Sequence, residues 1–392
     1  SISILKDADA TAIYGSRAAN GVVLITTKKG AIGKDNFTVD VNQGISRVSR
    51  LNSYLNLQQY LKLRNDAYKN DGLIPDVNSA PDLLVWDTTK STNWQKYFYG
   101  GSANVTNVQA SLSGGDANTH YLVNLNYHDE GTILPGNSKY KKGGGYLNID
   151  HTSTNKKFYT SFNVNYSGDD NRTLYNSTGD RGGSTPPDFP IYNSDGSYNW
   201  TITNPVAILN QKQHSTTSYL NANTVAKYSF TPGFDAKLNI GYNTYKLNQV
   251  ATLPVSSEDP SYSPIATAFF ANNSSNRYII EPQFDYVKHF NDGVLTALLG
   301  GTYQHIITQG NYIEGDGVSN PDLLGNIGAA SILTGNSDSY SEYKYESVFG
   351  RINYNWRQKY LINVNLRRDG SSRFGPGRQF GNFYAVGGGW IF

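Results

Sequence analysis

The sequence predicts an all-β protein: part of a transmembrane antiparallel β-barrel, preceded by the C-terminal part of a small α+β domain. Three observations predict it. First, segments of alternating apolar and polar residues recur along the chain, and the polar partner is most often asparagine. Tyr121, Val123, Leu125 and Tyr127, for example, oppose Asn124, Asn126 and His128. Second, tight turns alternate with long links, the asymmetry of barrels that turn sharply on one side of a membrane and loop on the other. Third, most segments reach the roughly 9–11 residues that a tilted strand needs to cross the apolar band, against about 5–6 in globular proteins.

Composition agrees. Of 392 residues 38% are hydrophobic and 13% aromatic, with 30 Tyr and 39 Gly, and mean hydropathy is −0.51. Such a balance suits a wall in which only alternate side chains face lipid and aromatic rings mark the interfaces. No run approaches the ~18 apolar residues of a membrane helix. The absence of Cys excludes a disulfide scaffold and a thiolate metal site. A net charge of +2 gives no argument for nucleic acid. With no Met in the chain, and with Gly387 to Phe392 reading as a strand cut short, a fragment that begins inside a domain is expected.

In order, Ile2 and Ile4 alternate with Ser1 and Ser3 as the end of a half-buried strand. Asp7 can cap a short helix over Asp9 to Tyr14, and Gly15 can close it in a left-handed conformation. Asn20-Gly21 is a turn dipeptide, and Val22 to Thr27 is a β-branched strand ending in Lys28-Lys29-Gly30. That unit is too small to hold a core alone. Residues 1–33 are therefore read as the end of one domain and 34–392 as the wall around it. Twelve wall strands are expected, near 36–48, 104–113, 119–129, 139–151, 157–168, 217–230, 234–250, 277–290, 294–309, 340–356, 359–368 and 380–392. Long links fall at 49–103, 169–216, 251–276 and 310–339. A helical stripe runs from Tyr54 to Tyr68, and a shorter helix is expected near Pro321–Leu324. Gly143-Gly144-Gly145 reads as a place where the wall bends or nears the inner domain.

No catalytic constellation is present, so no enzyme, cofactor or metal is expected. The six His form no H-E-x-x-H, and neither G-x-S-x-G nor a phosphate-cradling glycine loop occurs. His128-Asp129-Glu130 reads as a strand end beside a polar turn. Asn193-Ser194-Asp195-Gly196-Ser197 lacks the closing acidic ligand of a calcium loop and reads as a turn. The best ligand-contact candidates are Tyr175, Phe189, Tyr192, Tyr198 and Trp200, whose flat rings suit sugar faces, while the amides around them suit hydroxyls. The competing reading packs those rings onto their own loop. Arg367, Arg368, Asp369 and Arg373 form a charged cluster with a structural role, holding a loop by ion pairs.

Two stretches carry a resemblance. Leu5 to Gly30, LKDADATAIYGSRAANGVVLITTKKG, resembles the end of the plug domain of SusC/RagA-type TonB-dependent outer-membrane transporters, with Lys6, Asp7, Tyr14, Gly15, Arg17, Asn20 and Gly21 as its motif. Phe349 to Gly375 is similar to a barrel segment of the same family, most densely over Arg368, Asp369, Gly370, Ser371, Ser372, Arg373, Phe374 and Gly375. The resemblance implies about twenty-two strands, of which twelve are visible here. It implies active import of a glycan or a peptide across the bacterial outer membrane, with a SusD-like surface lipoprotein as lid. It also implies that TonB pulls on an N-terminal box lying before Ser1. Arg17 is expected to contact acids or carbonyls of the wall. A passive porin or adhesin-type barrel is the alternative, as is a soluble sugar-binding β-sandwich with shorter strands and a closed core. Burial is expected to decide: in a barrel the Tyr121, Val123, Leu125, Tyr127 row is exposed and Asn124 and Asn126 face inward.

Overall fold

The computed structural model describes residues 2–5, 21–26, 28–30, 32–175 and 184–392. The expected helix over Asp9–Tyr14, its cap Asp7, and Lys6, Gly15, Arg17 and Asn20 lie outside the described residues. On either side of them, β1 (Ile2–Leu5) pairs antiparallel with β2 (Val22–Ile25), so that Ile2 faces Ile25 and Ile4 faces Val23. Gly21, leading into β2, has φ 94°, a conformation that glycine adopts without a Cβ penalty.

All twelve expected wall strands form, in one antiparallel sheet whose order follows the sequence: β3 (Gly33–Arg47), β4 (Ser102–Gly115), β5 (Thr119–Gly131), β6 (Lys139–Thr152), β7 (Phe158–Leu174), β8 (Lys212–Thr231), β9 (Phe234–Leu253), β10 (Thr267–His289), β11 (Gly293–Asp316), β12 (Ile332–Trp356), β13 (Tyr360–Ser371) and β14 (Phe380–Trp390). Among the described residues no helix is long and apolar enough to cross a membrane, which says nothing about a barrel. From β7 to β13 the strands are longer than their alternation announces, chiefly at the loop end. β10 begins at Thr267 rather than near 277, and β12 at Ile332 rather than near 340. Much of the extra length is polar on both faces, as in Asn272-Asn273-Ser274-Ser275-Asn276. It carries no hydrophobic period, while its ladder to β9 and β11 continues unbroken.

Register separates two faces. Leu125, Phe162, Ile240, Ile280, Leu299, Ile352, Leu366 and Val386 are exposed on one of them, with Ile240 opposite Ile280 and Val386 joined through Val364 to Ile352. On the other, a row of cross-strand partners runs Tyr146, Asn165, Asn221, Asn243, Arg277, Ile306, Tyr343. Burial alone separates the faces poorly. Leu125 is 57% exposed, but Tyr121 and Val123 are half-buried and Asn126 is exposed. Neighbouring strands shade each other's side chains on the apolar face, and the polar face is open to solvent along much of its length.

The long links fold into a cap at the loop end. In the first of them α1 (Leu57–Asn70) starts three residues later than expected, because Asn56 and Gln59 close a reciprocal capping box there. Two short helices that the pattern did not announce follow, α2 (Pro81–Leu84) and α3 (Trp94–Tyr99). At Pro321–Leu323 the chain makes a single 3₁₀ turn.

Candidate functional site

Three places on this scaffold carry candidate functional chemistry: the turn-side attachment of the leading segment, the polar face, and the cap.

The leading segment meets the polar face through Lys28, Lys29 and Gly30. Lys29 Nζ lies 2.9 Å from Asp150 Oδ1 and 2.8 Å from the Tyr159 hydroxyl. Tyr159 also donates to Asp150. The Asp150 side chain is 1% exposed, and its second oxygen faces His120 Nε2 at 3.6 Å. The Gly30 amide points at Asn148 Oδ1 at 3.4 Å, and the Tyr146 hydroxyl at the Lys28 carbonyl at the same distance. A Cβ on Gly30 would collide with the backbone of Tyr121, so the chain passes the wall with no room to spare. A buried carboxylate stays charged only if it is paired and hydrogen-bonded, and this one draws its cation from the leading segment. Asp150, Asn148, Tyr159 and Lys29 were missed in the sequence. The available signal was Asp150 itself, an acid on a face otherwise lined with amides.

The polar face is tied together by side-chain hydrogen bonds, among them Asn148 to Asn163 at 2.9 Å, Asn223 to Asn239 at 2.6 Å and Asn239 to Glu281 at 2.7 Å. The expected charged cluster splits between the two faces. Arg367 is buried on the polar face, paired with Asp369 and donating to Tyr345 and Ser347 at 2.8 and 2.9 Å. Arg368 points the other way, over the Phe380 ring. Arg373 covers Tyr343, and Ser372 exchanges hydrogen bonds with the Lys344 backbone, which pins the turn after β13. Gly370 and Ser371 end that strand, and Phe374 and Gly375 lie in the turn beyond it.

In the cap, Trp86, Trp94 and Phe98 from the first link bury against Leu174, Phe189, Val206 and Leu209 from the link after β7. The Trp94 indole donates to Pro186 O at 2.8 Å. Arg64 and Tyr60 of α1 both bind Asp82, at 2.6 and 2.9 Å. Burial raises the Asp82 pKa, but these two donors outweigh it and hold the carboxyl below its ordinary value. Among the described residues Asp188 has no such side-chain donors. Burial, with the Asp82 charge adding to it, pushes its carboxyl up to about 6. A pocket of about 430 Å³ opens beside Trp94, between Tyr54, Tyr60 and Ser184–Pro187.

Of the five aromatic candidates, Phe189 is 2% exposed and belongs to that core. Tyr175 stacks on Phe269 of β10, with ring centroids 5.8 Å apart. Tyr192, Tyr198 and Trp200 come together, Tyr192 stacked on Tyr198 at 5.2 Å and Trp200 edge-on to Tyr198. The Asn193–Ser197 stretch is the hairpin turn between the two tyrosines, with Asp195 accepting from Ser197.

No family model matches the chain. Among curated proteins it is 28% identical to TonB-dependent receptor P3 of Formosa agariphila, over 98% of this chain and 38% of that protein. It is 30% identical to TonB-dependent receptor P39 of the same organism, over 100% and 38%. It is 27% identical to TonB-dependent receptor SusC of Bacteroides thetaiotaomicron, over 99% and 40%. The chain thus spans about two fifths of the length of the curated relatives it matches. Among solved structures it is similar in fold to the RagAB peptide importer in its closed-closed state, with TM-score 0.79 and 23% identity over 99% of this chain and 48% of the other.

Proposed function

We propose that this chain, which belongs to the SusC/RagA family of TonB-dependent receptors, serves energised import of a nutrient across a bacterial outer membrane. In this reading residues 1–33 end a plug and residues 34–392 form part of the barrel wall around it. The apolar face meets lipid and the polar face lines the lumen. Tension applied through TonB displaces the plug, and a SusD-like lipoprotein closes over the cap. The cargo is an oligosaccharide or a peptide, and Tyr192, Tyr198 and Trp200 form a ring surface for it at the entrance.

The observation that carries the reading is the hold of Lys28–Gly30 on the polar face through Asp150 and Asn148. A passive pore has no use for a leading segment fixed inside its wall. Hydrogen bonds between amides, with water reaching the lumen, hold a plug while leaving it free to move, which an apolar seal would not.

The test is uptake by cells that carry the protein, with and without functional TonB. Uptake should cease when TonB is removed or the proton gradient is collapsed. Uptake that continues at the same rate identifies a passive porin and ends the proposal.

A further inference from the structure

Above the attachment of the leading segment, the polar face holds a trough of about 580 Å³. We infer that this trough is a binding site for acidic oligosaccharide, and that Arg277 and Arg373 confer the charge preference. The inference rests on the import reading and names the class of its cargo.

The trough spans β8 to β12. Its floor is deepened at Gly241, where a Cβ would run into the Ile279 side chain. Asn221, Asn223 and Asn243 line it with amides, which both donate and accept and so match sugar hydroxyls. Tyr219 and Tyr343 supply rings, and the Tyr343 ring already carries the Arg373 guanidinium at 4.7 Å. Arg277 comes from β10, between Asn243 and Ile306 in the register. Among the described residues no carboxylate lines the trough, and neither Arg277 nor Arg373 forms an ion pair. The other cations singled out on this face are matched, Lys29 by Asp150 and Arg367 by Asp369, and Glu281, outside the lining of the trough, is held by Asn239. Two cations in a walled groove without a counter-charge focus a positive potential there. A guanidinium recognises a carboxylate or a sulfate by paired N–H donors.

Position favours cargo over plug as the occupant. Asn148 and Asp150 lie within about five residues of the tight turn that follows β6, whereas Arg277 lies about thirteen residues from the turn that follows β10. For strands tilted by about 40°, that places the trough roughly 20 Å nearer the loop end than the attachment of Lys29. Amides and tyrosine rings outnumber the aliphatic Ala222, Ile279 and Ile306 in the lining, which favours sugar over peptide.

The test measures binding by the membrane-embedded protein that carries this chain, purified in detergent. The probes are oligogalacturonate, a sulfated galactan oligomer, a neutral maltooligosaccharide of equal length and an oligoglutamate peptide. One or both acidic sugars should bind at least about tenfold more tightly than the neutral one, and the advantage should shrink as salt rises. The uronate and sulfate arms identify the anionic group. Arg277→Gln with Arg373→Gln should abolish the advantage, and Arg277→Lys with Arg373→Lys should restore part of it. Heat-modifiable migration of each variant controls for folding. Neutral sugar bound as tightly as acidic, oligoglutamate bound in preference to sugar, or an advantage that survives the double Gln variant overturns the inference. TonB-dependent uptake with binding of none of the probes overturns it too and leaves the import reading standing; uptake independent of TonB removes that reading instead.

Discussion

Replacing Asp150 by Asn should free the leading segment from the wall. The substitution keeps the shape of the side chain and removes its charge. It weakens the Lys29 ion pair at 2.9 Å and converts the acceptor of the Tyr159 hydroxyl from a carboxylate to an amide. Hydrogen bonds to a charged group contribute about 1.5–3 kcal/mol each. Breaking a fully buried ion pair costs about 3–5 kcal/mol. Lys29 is 49% exposed, so water replaces much of what its ammonium loses. About 2 kcal/mol for the local opening of Lys28–Gly30 follows, a factor of about 30 in the open population. Trypsin reads this directly, because it cleaves after Lys28 and Lys29 only when the segment leaves the wall. The initial rate of appearance of a fragment beginning at Gly30, followed by mass spectrometry, should rise by about that factor at low protease, where opening and closing are fast relative to cleavage. Asp170→Asn is the control. Asp170 lies on the opposite face of β7, paired with His214 at 2.9 Å and Arg172 at 3.0 Å. An Asp150→Asn rate within twofold of wild type, or an equal rise in Asp170→Asn, would refute the reasoning.

Three further outcomes follow from the same geometry. Gly30→Ala should release the same segment, at a cost of about 1–3 kcal/mol, because both the new methyl and the Tyr121 backbone are fixed; the same fragment assay reads it. Leu125→Arg on the lipid face should cost about 2–4 kcal/mol and lower the yield of heat-modifiable barrel, while Asn126→Arg on the lumen face should leave it near wild type. Asp188 is raised to about 6 in the fold, against about 3.9 when unfolded, so the folded cap holds its proton over that window. Cap stability therefore falls as pH rises from about 4 to 6 and stays reduced above it, by up to about 3 kcal/mol. Asp188→Asn should slow hydrogen exchange across α3 at pH 7 and leave it unchanged at pH 4.

The wall was legible because lipid and lumen impose a period of two on every strand that lies between them. Where both faces meet water, as along Asn272 to Asn276, the ladder continues but the period vanishes, so the loop ends of β10, β11 and β12 were placed short. α1 was legible from its stripe, but α2 is held through Asp82 by Tyr60 and Arg64 of α1, and α3 by contacts with Pro186 and Phe189 about ninety residues away, and no local pattern announces either. Phe189 and Tyr192 share a loop and a chemical type, yet one lies in the core and the other at the surface; sequence carries no signal that separates them. The pairing of Lys29 with Asp150 spans 121 positions and becomes visible only when β6 is set beside the leading segment.

β12 has 25 residues. At about 2.5 Å of barrel height per tilted residue it rises roughly 60 Å, more than twice the ~25 Å of hydrocarbon it needs to cross. The upper half is a collar standing in water, still laddered to β11 up to Ile332 with one bulge on the way, while β13 reaches only as far as Tyr345. On the proposed import reading, a lipoprotein settling on such a collar meets a rim already ordered by its ladder to β11, so little ordering entropy would be lost each time it closed.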